Sequence, residues 1–116
     1  MRALLLKSIL AAACTITLFA CSKNTPTNTD PCNGTSARSF ATDVNPIIQT
    51  YCNKAGCHAP GSVNGPGSLT NYAEVFGART VIRPAIASGL MPQDATLTLA
   101  QRNIILCWID SGAPNN

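Results

Sequence analysis

The stretch Cys52-Asn53-Lys54-Ala55-Gly56-Cys57-His58 holds two thiols and an imidazole within seven residues. His58 is the only histidine of the 116-residue chain, and the two thiols are two of its six cysteines. The residues before it predict a helix over 42–52. Val44, Ile47, Ile48 and Tyr51 recur at i, i+3, i+4 and i+7, which places one apolar stripe along a single face. Either Thr42 caps this helix and Pro46 lies in its first turn, or Asn45 caps it and Pro46 takes the first helical position. The reactive groups thus leave the end of an amphipathic helix.

Composition excludes several classes around this stretch. Hydrophobic residues make up 46% and charged residues 11%, which is unlike a highly charged disordered chain. It is also unlike a nucleic-acid module, which needs a clustered basic face. The formal charge of +3 includes Arg2 and Lys7 of the extreme N-terminus. From residue 21 onward six basic residues (Lys23, Arg38, Lys54, Arg79, Arg83, Arg102) stand against five acidic ones (Asp30, Asp43, Glu74, Asp94, Asp110), so no polyanionic partner is implied.

The N-terminus reads as an export signal. Arg2 and Lys7 precede the uncharged run 8–20, which is short against the roughly 20 apolar residues of a membrane span. It ends in Leu18-Phe19-Ala20-Cys21, which resembles the bacterial lipobox. That resemblance implies a signal peptide over 1–20, lipid on Cys21 and a membrane anchor. Residues 22–38 are rich in Thr, Asn and Pro and read, with the lipidated Cys21, as a tether over 21–38. The folded domain is expected over 39–116. At that size a self-sufficient core is marginal, and a disulfide, metal or cofactor is expected to support it.

Two further helical regions follow. In 71–88, Tyr72, Val75 and Phe76 suggest a short helix stopped at Gly77, and Pro84 to Ser88 a further turn ending at Gly89. Over 99–111, Thr98 and Gln101 form a capping-box pattern, and Ile104, Ile105, Trp108 and Ile109 form a buried face. Gly112 and Pro114 stop it. No alternating strand pattern of useful length is present, so the expected fold is all-α, three to four helices with long loops. Trp108, Tyr51 and Tyr72 are expected to pack, and Lys54 to be exposed.

C-x-x-C-H is the attachment signature of c-type haem, in which two thioethers hold the vinyl groups and the histidine ligates iron. Here four residues separate the thiols, so the loop must bulge, and Ala55-Gly56 makes that feasible. Met91, the one methionine after the signal, stands 33 residues beyond His58 in Gly89-Leu90-Met91-Pro92. Methionine with histidine is the axial pair of electron-transfer cytochromes c.

The chain resembles the small class-I-like cytochrome c domains of exported bacterial, Bacteroidetes-type, lipoproteins. The resemblance rests on 43–48, on Cys52 to His58, on Leu69-Thr70-Asn71-Tyr72, on Met91-Pro92 and on 108–116, in that order. It implies one covalent haem c on Cys52 and Cys57, with His58 and Met91 as axial ligands to its iron. If haem takes those thiols and lipid takes Cys21, one disulfide remains to draw, Cys32 with Cys107. Arg79 and Arg83 are candidates for haem propionate contacts.

The implied function is one-electron transfer at the cell envelope, facing the periplasm or the cell surface. Redox proteins would be met through small transient contacts. No catalytic triad can be assembled, since the sole histidine is engaged, and the acids show no paired spacing. The expected protein is a carrier and not an enzyme. Three alternatives stay open. Cys52 and Cys57 could bridge each other in a disulfide-stapled module; the two thiols with Met91 could hold copper(I); or Met91 could be unbound and the iron open, as in a sensor or enzyme.

Overall fold

A computed structural model describes Cys32 and residues 38–116. The expected signal, Cys21 and most of the expected tether lie outside the described residues. Those residues are helical, with no strand among them. No helix among them is long and apolar enough to cross a membrane.

The chain enters through a π-helical turn, Phe40–Val44, that continues directly into α1, Asn45–Tyr51. The cap is neither Thr42 nor Asn45 but Ser39, whose Oγ accepts the Thr42 amide at 3.3 Å. The helix starts earlier than its apolar stripe because Phe40 is itself a core residue, 6% exposed. Pro46 sits in the first turn of α1, where a missing amide proton costs least.

The second helix, α2, runs unbroken over Tyr72–Ala87. Gly77 does not stop it, and Pro84 does not begin a separate turn. Val75, Ala78, Ile82 and Ile86 are all buried at helical spacing. Their burial outweighs the roughly 1 kcal/mol a mid-helix glycine costs. Pro84 lies in the last turn, with its carbonyl accepting from the Ser88 amide at 3.0 Å. At the other end Asn71 caps the helix, accepting the Glu74 amide at 3.1 Å. The Glu74 carboxylate in turn accepts from the Thr70 amide at 2.7 Å and hydroxyl at 2.8 Å.

The third, α3, spans Leu99–Asp110 and matches its sequence pattern closely. The capping box forms, with Thr98 Oγ1 accepting the Gln101 amide at 3.2 Å and Gln101 Oε1 accepting the Thr98 amide at 2.9 Å. Gly112, at φ +99°, ends the helix. Ile105 and Trp108 are fully buried.

Trp108 centres the core. Its ring lies 5.5 Å from Phe40 and 6.3 Å from Tyr72, and its Nε1 donates to the Pro114 carbonyl at 2.9 Å. The Tyr72 hydroxyl donates to the Ala113 carbonyl at 3.0 Å. Asn116 then closes the chain on its entry: its carbonyl accepts from the Ala41 amide at 2.9 Å, and its side chain from the Phe40 amide at 2.9 Å. Cys32 is disulfide-bonded to Cys107, 75 residues away, as the sequence reading drew it.

Two predictions follow from this framework. A loop of that length corresponds to about 4.5 kcal/mol in the chain-entropy picture. Cys32→Ser with Cys107→Ser should therefore lower the unfolding free energy by that amount in a urea titration, and reductant should do the same to the parent. The second concerns acid. The Thr70 amide and hydroxyl hold Glu74 below its ordinary value, Lys54 does so for Asp94, and Arg83 for Asp110. Each folded pKa lies below the unfolded one. The stabilisation is thus present above the ordinary carboxylate range near about 4 and is lost as pH falls through the lowered folded values. The urea midpoint should decline over that interval, and less steeply in Glu74→Gln.

Candidate functional site

The two helical flanks of α2 face different things. Val81 and Arg83 stand about 200° apart around the helix, either side of buried Ile82. On the Arg83 side lies α3, reached through a bidentate pair in which Arg83 Nε and Nη2 donate to Asp110 at 2.6 and 2.8 Å. On the Val81 side lies a cavity of about 710 Å³.

This cavity gathers residues from four places. The end of α1 supplies Ile48 and Tyr51, and the turn after it Cys52, Gly56, Cys57 and His58. Asn64 to Pro66 and Leu69 come from the following loop, and Ile82, Ala85 and Ile86 join Val81 from α2. Leu90 to Asp94 close the far side. Trp108 and the rest of α3 are not part of the lining. All four residues expected to hold haem, Cys52, Cys57, His58 and Met91, therefore line one cavity with largely apolar walls.

The Cys52–His58 turn is built by its own backbone. The Cys57 and Ala59 amides donate to the Lys54 carbonyl at 2.9 and 3.2 Å, and the His58 amide to the Cys52 carbonyl at 3.1 Å. Gly56 takes φ +79°, a left-handed angle that a side chain resists, and the extra loop length is absorbed there. Both Cys52 and Cys57 are free thiols in this structure, not bridged to each other. Burial pushes the Cys52 thiol up to about 11, against the partial opposing pull of the Lys54 charge.

His58 is 7% exposed, and its Nδ1 lies 2.8 Å from the Gly67 carbonyl. A carbonyl oxygen can only accept, so Nδ1 carries a proton and Nε2 is the ring nitrogen not committed to the protein. That arrangement fixes the ring and leaves Nε2 for a metal. The Gly67 carbonyl is held in turn by a braced loop. The Gly67 amide donates to Asn64, the Leu69 amide donates to the His58 carbonyl at 2.9 Å, and Asn64 Nδ2 donates to the Gly56 carbonyl at 2.9 Å.

Met91 is half-buried against the core, and its amide donates to the Ala85 carbonyl at 3.2 Å. Gly89, at φ +74°, turns the chain out of α2 just before it. Lys54 is not simply exposed: its Nζ lies 2.9 Å from Asp94 Oδ2. Neither Arg79 nor Arg83 lines the cavity. Arg83 is engaged by Asp110, and Arg79 stacks 3.8 Å over the Phe76 ring and donates to the Phe76 carbonyl at 2.7 Å. Among the described residues the only carboxylate or basic side chain in the lining is Asp94, and the polar groups Asn64, Gln93 and Tyr51 are what an acidic ligand group would meet there.

Gly67, Asn64 and Asp94 were not singled out as functional residues from the sequence. Gly67 acts through its carbonyl, which every residue carries, so only the Gly-Pro-Gly run 65–67 marked the place. Among the described residues no group of three or more His, Cys, Asp or Glu side chains converges as a metal site. The donors are distributed around a cavity instead.

At pH 8 a thiol of pKa about 11 is thiolate in only about one part in a thousand. In folded chain produced without cofactor attachment, Cys52 should thus react with iodoacetamide about two orders of magnitude more slowly than an ordinary cysteine. The rate should climb about tenfold per pH unit, which mass spectrometry of the tryptic peptide reads directly.

Comparison with protein-family models, with curated proteins and with solved structures finds no match.

Proposed function

We propose that this chain is a monohaem c-type cytochrome, a small class-I-like electron carrier tethered at the cell envelope by lipid on Cys21. One observation carries the reading. Two free thiols, a buried histidine with Nδ1 committed to a carbonyl, and the loop methionine all line the same cavity. At about 710 Å³ it falls within the roughly 300–1,000 Å³ of cofactor pockets.

The residues fit the group chemically. Cys52 and Cys57 would attach haem as thioethers, which needs thiols that are not already in a disulfide. His58 would ligate iron through Nε2, and the Gly67 carbonyl, accepting from Nδ1, makes that nitrogen more basic. Met91 supplies a soft thioether sulfur, a ligand that raises the reduction potential relative to harder donors. Haem, when bound, supplies reversible one-electron chemistry at iron. The protein's part would be to hold His58 and Met91 as donors and to keep water out with Ile48, Leu69, Ile82 and Ile86. With Met91 engaged, small molecules have no free position, which favours a carrier over an enzyme. Redox proteins are the fitting partners, through transient contacts at the cavity mouth.

The test is a haem stain of denatured protein made in a host with c-type maturation machinery. The parent should stain, and Cys52→Ala with Cys57→Ala should abolish the stain. Met91→Ala should retain it, lose the weak long-wavelength band of an iron–methionine bond and lower the midpoint potential. An exported, folded protein that is colourless sinks the reading. Stoichiometric copper bound by such a protein, lost on Cys52→Ala, would establish the copper(I) alternative.

A further inference from the structure

We infer that the Lys54–Asp94 ion pair ties the methionine loop to the Cys52–His58 turn across the mouth of the cavity, and that it governs access of small ligands to the cavity interior. The part of this that concerns iron rests on the function proposed above.

The inference starts from how little else holds the loop. Between α2 and α3 the chain is pinned at one end by the Met91 amide on Ala85, and at the other by buried Leu97 and the Thr98 cap. Among the described residues, segment 92–96 makes one hydrogen bond to another part of the chain, from Lys54 Nζ to Asp94 Oδ2 at 2.9 Å. Asp94 lies three residues after Met91 and lines the cavity. Lys54 lies between the two thiols, and its carbonyl receives the Cys57 and Ala59 amides that shape their turn. Its ammonium group stands 6.0 Å above the Tyr51 ring, and Tyr51 also lines the cavity. One side chain therefore connects the thiol turn, the end of α1 and the methionine loop.

This gives the four-residue spacing a role. A two-residue spacer has less room for a residue whose backbone organises the turn while its side chain reaches across the opening. Lys54 and Asp94 are thus positioning residues, acting on Met91 through the loop. Their side chains are 33% and 51% exposed, so solvent and salt weaken the pair. The effect it supports is about two- to fivefold in an equilibrium.

Two measurements on the full-length matured protein test this. In hydrogen exchange, the peptide covering 90–97 should exchange faster in Asp94→Asn and in Lys54→Gln, with α3 unchanged. In an imidazole titration of the oxidised protein followed by absorbance, both variants should bind about two- to fivefold more tightly. The charge reversal Lys54→Glu with Asp94→Lys should return both readouts toward the parent, and 1 M salt should shrink the difference between parent and single variants. Unchanged exchange in Asp94→Asn overturns the tie, and faster exchange with unchanged imidazole affinity overturns its control of access. Failure of the parent to stain for haem overturns the function proposed above, and exchange alone then decides whether the tie exists.

Discussion

The described chain folds around an open volume of about 710 Å³ that its own side chains do not fill. The rest of the architecture answers to that constraint. Ile48, Leu69, Ile82 and Ile86 are buried and also line this volume, so the same side chains serve the core and the cavity wall. Close packing is concentrated elsewhere, around Trp108, where Phe40, Tyr72 and Ile105 meet. The bonds from Asn116 to residues 39–41 and the Cys32–Cys107 disulfide both fasten that packed side. On the cavity side the loops are fastened mainly by hydrogen bonds and one ion pair.

The parts of the fold legible in sequence were those where local chemistry and burial agree. Thr98 and Gln101 can only cap a helix starting at Leu99, and the apolar residues behind them lie on one face, so α3 was read nearly to the residue. In α2 the two kinds of signal conflict. Gly77 and Pro84 speak locally against a helix, but Val75, Ala78, Ile82 and Ile86 bury one continuous stripe, and tertiary packing prevails. Ser39 was overlooked as a cap because the first apolar residue it serves, Phe40, stands alone in sequence and earns its place only against Tyr72 and Trp108.

The candidate site divides in the same way. Cys52 and Cys57 stood out by their spacing with His58, the sole histidine, and Met91 as one of only two methionines, and the structure brings all four to one cavity. What positions them did not stand out. The Gly67 carbonyl has no side-chain signature, and the Lys54–Asp94 pair joins residues 40 apart in sequence. Arg79 looked available for an anionic group because the helix expected around Phe76 stopped at Gly77, which hid their i, i+3 pairing, and Arg83 because its partner Asp110 lies 27 residues away.

The thiols raise a last question of mutual exclusion. Under oxidising conditions the four cysteines Cys32, Cys52, Cys57 and Cys107 have several ways to pair, and only the Cys32–Cys107 pairing alone leaves the cavity thiols free. Disulfide exchange proceeds through thiolate. With Cys52 raised to about 11, roughly one molecule in ten thousand presents that thiolate at pH 7. Cys32 and Cys107 meanwhile occupy each other on the packed side of the domain. Burial thus does two things at Cys52. It sets the thiol against the apolar wall where a ligand group would lie, and it slows the oxidation that would close the turn into a bridge with Cys57. The same desolvation opposes a soft metal ion held by a bare Cys52 thiolate, because that thiol would have to ionise inside the wall, whereas addition of a thiol to a vinyl group leaves a neutral thioether.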